Sequence, residues 1–239
     1  MGLDLLKSKT GRTLIESHRG VKGDVPENSW SAIQLGHQLG ADLIEMDVQM
    51  SRDGVAFLHH NYQIQDGVWC HDVPWAELKN VKIQGEPLPK LEDVLAWARD
   101  AGAHLSLDMK TFFKPEGNLA REVLHLIERT KTKENVLLLF FDHQELFHSK
   151  LACPELAVRA IVTGRLVNFA DYLKHIQADC VSISYGMLRP EDIAQIHAIG
   201  AAVMLFDYWN QNSDLFEQYD IDGLSVPNPV DARRMLKHA

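Results

Sequence analysis

The sequence predicts an α/β protein, a (β/α)8 TIM-type barrel with a β-hairpin after the second barrel strand. Three observations predict it. Short apolar runs of strand length alternate almost strictly with amphipathic segments of helix length, which argues for a parallel sheet with right-handed crossovers. Eight such units fit into 239 residues, the size of a closed barrel. His18, Glu45, Asp47, Asp108 and Lys110 fall at or near the C-terminal ends of the expected strands, where such barrels keep their chemistry. A doubly wound open sheet is the competing architecture. No linker, low-complexity tract or fixed-period repeat divides the chain, so a single domain over 1–239 is expected.

Residues 1–12 read as a short polar lead-in with at most one helical turn. The first strand is expected at 13–18. Asn28 or Ser29 then caps a helix that runs to about Leu39 and ends at Gly40. The second strand covers about 42–49, with a hairpin return at 55–60. Residues 61–90 carry Asp66-Gly67, Pro74, Gly85, Pro87 and Pro89 and read as irregular, with a short helix near 74–80. Loops of that length are often functional. From Leu91 the rhythm is regular. Helices are expected at 91–101, 118–131, 143–151, 166–176, 190–199, 211–219 and from 230. Between them come strands at 104–110, 135–141, 157–162, 179–184, 201–206 and 221–226.

Hydrophobic residues make up 46% of the chain, enough for a sizeable core, and the formal net charge is −9. That charge argues against a general nucleic-acid or anionic-membrane binder, though not against a local positive site around a phosphate. No apolar run approaches the ~20 residues of a membrane span, and MGLDLLKSKTGRTL lacks a secretory apolar segment. A cytoplasmic location is expected. Cys70, Cys153 and Cys180 fit no zinc pattern and cannot all pair, which suits reduced thiols.

The chemistry concentrates in 16–61. Residues two apart share one face of a strand, so Glu45 and Asp47 project together, as do Glu16 and His18. Asp53-Gly54 is a strong signal for a two-residue hairpin turn. Such a turn pairs 52 with 55 and, further back, 47 with 60. It sets His60 opposite Asp47 and turns His59 to the other face. Asp108 brings a third carboxylate from the next barrel strand. Two like charges ~4 Å apart repel by about 4 kcal/mol at an effective dielectric near 20. Three converging carboxylates therefore call for protonation, for neutralisation by Arg19 and Lys110, or for a cation. Oxygen-only ligands suit Mg²⁺, Ca²⁺ or Mn²⁺ rather than zinc. Arg19 and Lys110 also suggest an anionic substrate. His18 and His60 suit the acid and base of a displacement at phosphorus.

The ordered set ESHRG, PENS, GADLIEMDVQMSRDG, LHHN and LSLDMK resembles the glycerophosphodiester phosphodiesterase family. The resemblance is strong over 16–61 and 87–110 and rests mainly on rhythm elsewhere. It implies a phospholipase-C-like barrel that hydrolyses a small glycerophosphodiester to sn-glycerol 3-phosphate and an alcohol. By position, Glu45, Asp47 and Asp108 would bind the divalent cation. His18 and His60 would be the acid/base pair, and Arg19 and Lys110 would hold the phosphate. Glu27 and Asn28 would brace the loop carrying His18 and Arg19. In that family a glycerol hydroxyl or water attacks; the sequence fits both.

Departures from the family pattern stand at several positions. Asp108 replaces the usual Glu, and Asn61 replaces the Asp after the second His. Phe206-Asp207 stands in for Trp-Thr, and Val226-Pro227 for Thr-Asp. Phe206 and Tyr208 are candidate pocket walls. Together with Phe112, Phe113, Tyr185 and Trp209 they could form an aromatic rim for choline or an acyl chain, or pack as ordinary core and loop residues. Two other functions fit the sequence. One is lysophospholipase D or sphingomyelinase-D-like action on lipid phosphodiesters. The other is a non-catalytic binding barrel.

Overall fold

The computed structural model describes residues 3–113, 118–206 and 219–236. Strands β1 (Leu14–Ser17) and β2 (Leu43–Met50) pair in parallel, and β3 (Ala56–Leu58) returns antiparallel against β2. The long connection that follows is less irregular than its composition suggests. It holds two small hairpins, β4 (Gln63–Gln65) with β5 (Val68–Trp69) and β6 (Lys82–Ile83) with β7 (Glu86–Pro87), and a helical turn at Trp75–Leu78. Six further parallel strands complete the sheet: β8 (Leu105–Met109), β9 (Val136–Phe140), β10 (Ala157–Val162), β11 (Cys180–Ser184), β12 (Ala202–Phe206) and β13 (Gly223–Val226). The neighbour order β1-β13-β12-β11-β10-β9-β8-β2 closes through the β1–β2 pairing, so eight parallel strands form a closed barrel. The open-sheet alternative is excluded. The helix expected at 211–219 lies mostly outside the described residues.

Alternation along the strands divides the core. Ile44, Met46 and Val48 of β2 and Leu105, Leu107 and Met109 of β8 face outward and join the layer packed under the helices. Leu14, Leu43, Leu137, Ala157, Cys180 and Ala202 face inward and fill the N-terminal end of the barrel. Leu5 packs into that same cluster at 5% exposure. The lead-in is therefore not simply polar: it plugs the barrel floor, where one buried Leu is worth about 1.5–3 kcal/mol.

The hairpin forms, but one residue out of the expected register. Val48 pairs with Leu58, Gln49 with Phe57 and Met50 with Ala56. The loop holds three residues, Arg52–Gly54, with Ser51 N–H donating to the Val55 carbonyl at 2.9 Å. Gly54 takes the left-handed conformation at φ +84° that closes such a loop. Asp53 accepts from the Ser51 hydroxyl at 2.7 Å and from the Trp75 N–H at 2.8 Å. The first bond holds the three-residue loop and the second ties it to the following connection.

Candidate active site

The C-terminal mouth of the barrel is built from strand ends. Asp47 and Asp108 are register partners on β2 and β8, and Glu45 lies one inward position below Asp47. All three are buried, and one carboxylate oxygen from each lies within 4.8 Å of the others. His18 follows β1, and its Nε2 stands 3.9 Å from Glu45 Oε2. Lys110 follows β8 and reaches Asp47 at 2.6 Å and Asp108 at 2.5 Å.

The His18–Gly20 turn is fixed by backbone bonds. His18 N–H donates to the Val226 carbonyl and Gly20 N–H to the Glu45 carbonyl. Arg19 N–H donates to Glu45 Oε2 at 2.8 Å. Gly20 is required here: its φ is +88°, and a Cβ would sit 2.6 Å from Ala32. Arg19 also lies in left-handed space at φ +55°. Its guanidinium grips Glu27 through both carboxylate oxygens, at 2.9 and 3.0 Å, and stands 3.2 Å from Asp47. Asn28 exchanges two bonds with Asp47, donating from Nδ2 to Oδ2 at 2.7 Å and accepting from Asp47 N–H at 2.8 Å. Asn28 N–H also donates to the Arg19 carbonyl. Glu27 and Asn28 thus brace the Arg19 loop, and Asn28 fixes Asp47 as well.

His60 reaches the mouth by a different route from the one its sequence suggests. In the observed register His59, not His60, opposes Asp47, and its N–H donates to the Asp47 carbonyl at 3.0 Å. Strand β3 ends at Leu58 and the chain bends. That bend turns His60 into the cavity shared with His18, Glu45, Asp47, Asp108 and Lys110. Asn61 Oδ1 lies 2.9 Å from His60 Nδ1 and accepts from it when that nitrogen carries the proton. Phe206 lines this cavity; Tyr208 and Trp209 lie outside the described residues. Phe112 packs on Phe141, Phe113 on Tyr62 and Trp69, and Tyr185 on the outer core. Among the described residues these aromatics do not form one rim, which agrees with the alternative of ordinary core and loop packing.

Burial raises the Glu45 carboxyl well above its usual range, and Asp47, Asp108 and Glu16 add to the rise. Burial also pushes Asp47 up, but Lys110 and Arg19 outweigh it and hold Asp47 low. Asp108 is raised by burial, with Lys110 offsetting only part. Burial works against the Lys110 ammonium, but Asp108 and Asp47 prevail and hold its pKa above the ordinary value. Burial, assisted by Arg19, lowers the His18 pKa.

The trio fits a hard divalent cation. Opposed ligands of Mg²⁺ or Ca²⁺ stand about 4–5 Å apart, and the three carboxylate oxygens lie within 4.8 Å of one another. Asp108 Oδ1 is buried and has no hydrogen-bond partner. Three carboxylates meet two cations, Lys110 and Arg19, and Arg19 is shared with Glu27.

Arg159 is absent from the set expected from sequence. It projects from β10 into the barrel and bonds Glu16 on the opposite strand at 2.8 and 2.9 Å, each side chain 1% exposed. Its only sequence signal is a lone charge in the apolar run AVRAIV. Glu16 and Arg159 form the floor of the catalytic-mouth cavity, with Ser182 and Ser225 beside them.

The closed β/α barrel alone does not define an activity, but residues 18–230 match the family model described as the glycerophosphoryl diester phosphodiesterase family, a class of phosphoric diester hydrolases. The chain belongs to that family and is an enzyme of its class. A glycerophosphodiester phosphodiesterase of Caldanaerobacter subterraneus is 24% identical over 91% of this chain and 95% of its own length. The crystal structure of a glycerophosphodiester phosphodiesterase from Parabacteroides distasonis superposes with a TM-score of 0.85 at 23% identity, covering 95% of this chain and 97% of that one. A phosphodiesterase from Oleispira antarctica, solved with the product sn-glycerol-3-phosphate, gives 0.84 at 20% identity over 96% and 99% of the two chains. Among the described residues no helix is long and apolar enough to cross a membrane.

Proposed function

We propose that this chain is a divalent-cation-dependent hydrolase of small glycerophosphodiesters, releasing sn-glycerol 3-phosphate and an alcohol, with one barrel domain over 1–239 carrying the whole reaction. The observation that carries this reading is the buried trio of Glu45, Asp47 and Asp108, gathered within 4.8 Å beside two imidazoles. The sn-glycerol-3-phosphate bound in the Oleispira antarctica relative supports the product.

Glu45, Asp47 and Asp108 would hold the cation. When bound, the ion polarises a phosphoryl oxygen and offsets charge that builds in the transition state. Arg19 and Lys110 exchange a carboxylate contact for the phosphate oxygens, with Glu27 keeping Arg19 in position. His18, kept neutral by burial, accepts the proton of the attacking oxygen. That oxygen belongs either to water directly or to a glycerol hydroxyl whose cyclic phosphate water then opens. His60, at the junction with the wider neighbouring cavity, returns a proton to the departing alkoxide. Each proton transfer is worth roughly 10²–10⁴ in rate.

The test is release of glycerol 3-phosphate from glycerophosphocholine or glycerophosphoethanolamine, with and without EDTA, followed by addition of Mg²⁺, Ca²⁺ or Mn²⁺. Activity is expected to vanish with chelation and return with one of the ions. Equal turnover after chelation would remove the cation from the reading. Phe141 lines the mouth cavity and packs on Phe112, and this part-exposed pair, at 40% and 44%, favours a second substrate class for the same chemistry. That class is lysophospholipids, and lysophosphatidylcholine is the compound to assay.

A further inference from the structure

The described residues expose five large apolar side chains, and four of them share one arc of the barrel mouth. Phe112 and Phe113 follow β8, Phe141 follows β9, and Val167 lies on the loop after β10. Strands β8, β9 and β10 pair in that order, so the three loops stand side by side. The fifth, Leu151, is near the end of the helix His143–Ala152, at the opposite face of the barrel. A scattered apolar side chain needs no explanation; four on neighbouring loops mark a contact surface.

Local packing does not absorb the arc. Phe112 leans on Phe141 with ring centroids 6.3 Å apart, and Phe113 on Tyr62 at 4.9 Å and Trp69 at 5.1 Å. Phe113 nevertheless stays 66% exposed, on a backbone held in left-handed space at φ +66°. That conformation is unfavourable for a bulky residue, and the exposed ring gains little burial to offset it. Val167 is fully exposed. Its neighbour Leu166 packs on the core, and its neighbour Asn168 caps the next helix by accepting from Asp171 N–H at 3.1 Å. The tip is anchored on both sides and presents its isopropyl group to solvent.

Charge and area decide what such an arc meets. The charged groups described on these loops are already engaged. Asp142 caps the helix that follows it, accepting from Gln144 and Glu145 N–H. Lys110 holds Asp47 and Asp108, and Arg165 pairs with Asp192 at 3.1 Å. The net charge of −9 opposes anionic headgroups. The four side chains leave roughly 400 Å² of apolar surface in solvent, about half of the ~800 Å² that a stable protein partner covers on one side. Divided among three loop tips, that surface lacks the continuous face a rigid partner matches. A lipid surface is soft and takes each tip separately, and binding there scales with the apolar area inserted.

We infer that Phe112, Phe113, Phe141 and Val167 dock the barrel mouth reversibly on a zwitterionic lipid surface. Phe141 also lines the catalytic cavity, so docking sets that cavity against the layer from which a lysophospholipid is drawn. The inference deepens the lysophospholipid reading above and rests on it for its purpose, while the docking itself is measured without turnover.

The experiment sediments the protein with phosphatidylcholine vesicles and, in parallel, with vesicles rich in phosphatidylglycerol. Wild type is expected to bind the first more than the second. Val167→Ser and Phe113→Ser are each expected to lower the partition coefficient about tenfold, the scale of burying one such side chain. Val167 is fully exposed and outside the catalytic cavity. Its variant should therefore fold as wild type and keep its kcat/KM on soluble glycerophosphocholine, while kcat/KM on micellar lysophosphatidylcholine falls. No sedimentation of the wild type overturns the proposal, as does undiminished sedimentation of both variants or a preference for the anionic vesicles. Light scattering covers the other occupant: a wild-type dimer that Val167→Ser dissociates would assign the arc to a second copy of the chain and overturn the lipid reading. If phosphatidylcholine vesicles bind but lysophosphatidylcholine is not cleaved, the docking stands and the lysophospholipid reading fails.

Discussion

Two clusters of buried charge occupy one barrel, a layer apart, and they are balanced differently. In the middle layer Glu16 meets Arg159, one acid to one base, each side chain 1% exposed. At the mouth Glu45, Asp47 and Asp108 meet Lys110 and a shared Arg19. The lower pair is balanced in charge, although Glu16 Oε2 and Arg159 Nε are buried without a hydrogen-bond partner. The upper set puts three acids against two bases; burial raises the Glu45 pKa, and Asp47, Asp108 and Glu16 add to the rise. A fold left to minimise its own energy would not assemble the second arrangement, since burying like charges is costly. The contrast separates charge that serves the barrel from charge held ready for a ligand.

The largest expected effect breaks the lower pair. Arg159→Met leaves Glu16 buried and uncompensated, which should cost about 3–5 kcal/mol in urea unfolding. Pairing it with Glu16→Leu should restore stability to within about 1 kcal/mol of wild type, because apolar replacements of whole buried pairs are often neutral. If the double variant remains as unstable as the single one, the pair is not a self-contained unit.

The mouth should respond with activity instead. His60→Ala is expected to lower kcat/KM by roughly 10²–10⁴ and to shift the urea midpoint little, since His60 is only half-buried. A large loss of stability with intact turnover would reverse the contrast.

Glu45→Gln tests the excess charge itself. In metal-free protein it should raise stability on the order of 1 kcal/mol, a fraction of the ~4 kcal/mol between two unit charges at about 4 Å, because Lys110 already offsets part. Turnover should be lost. The pH dependence gives the sign. A carboxyl whose folded pKa is raised favours folding below its unfolded pKa, and that advantage disappears as pH rises through the folded pKa. Metal-free wild type should therefore lose stability over that rise, and Glu45→Gln should flatten the curve. A variant that is less stable than wild type at about pH 8, above the usual carboxylate range, would show that Glu45 is balanced after all.

These two clusters also mark how far the sequence could be read. The barrel was legible because alternation of strand and helix is a local pattern. So were Glu45, Asp47, Asp108 and Lys110, since strand periodicity pairs Glu45 with Asp47 and Asp108 with Lys110, and the barrel sets β8 beside β2. The Glu16–Arg159 pair was not, because its members lie 143 residues apart on opposite strands. The buried cluster of Phe57, Cys70, Leu78 and Leu88 under the long connection was hidden for the same reason. The hairpin fell between these cases. Asp53-Gly54 announces a turn but fits loops of two or three residues. The observed loop is tied through Asp53 to Trp75, 22 positions away.

That hairpin provides the smallest and most discriminating test. Gly54 sits at φ +84°, and a methyl group added there would meet nothing within 4 Å, so Gly54→Ala brings backbone strain and no steric clash. The cost should be about 1 kcal/mol. His60 is aimed by the bend after Leu58 rather than by the turn, and Gly54 touches neither charge cluster. Turnover should therefore stay at the wild-type level while the urea midpoint falls. If Gly54→Ala instead lowers kcat/KM as His60→Ala does, the turn governs the imidazole after all. The mouth would then owe its geometry to hairpin register, and the barrel strands alone would not account for it.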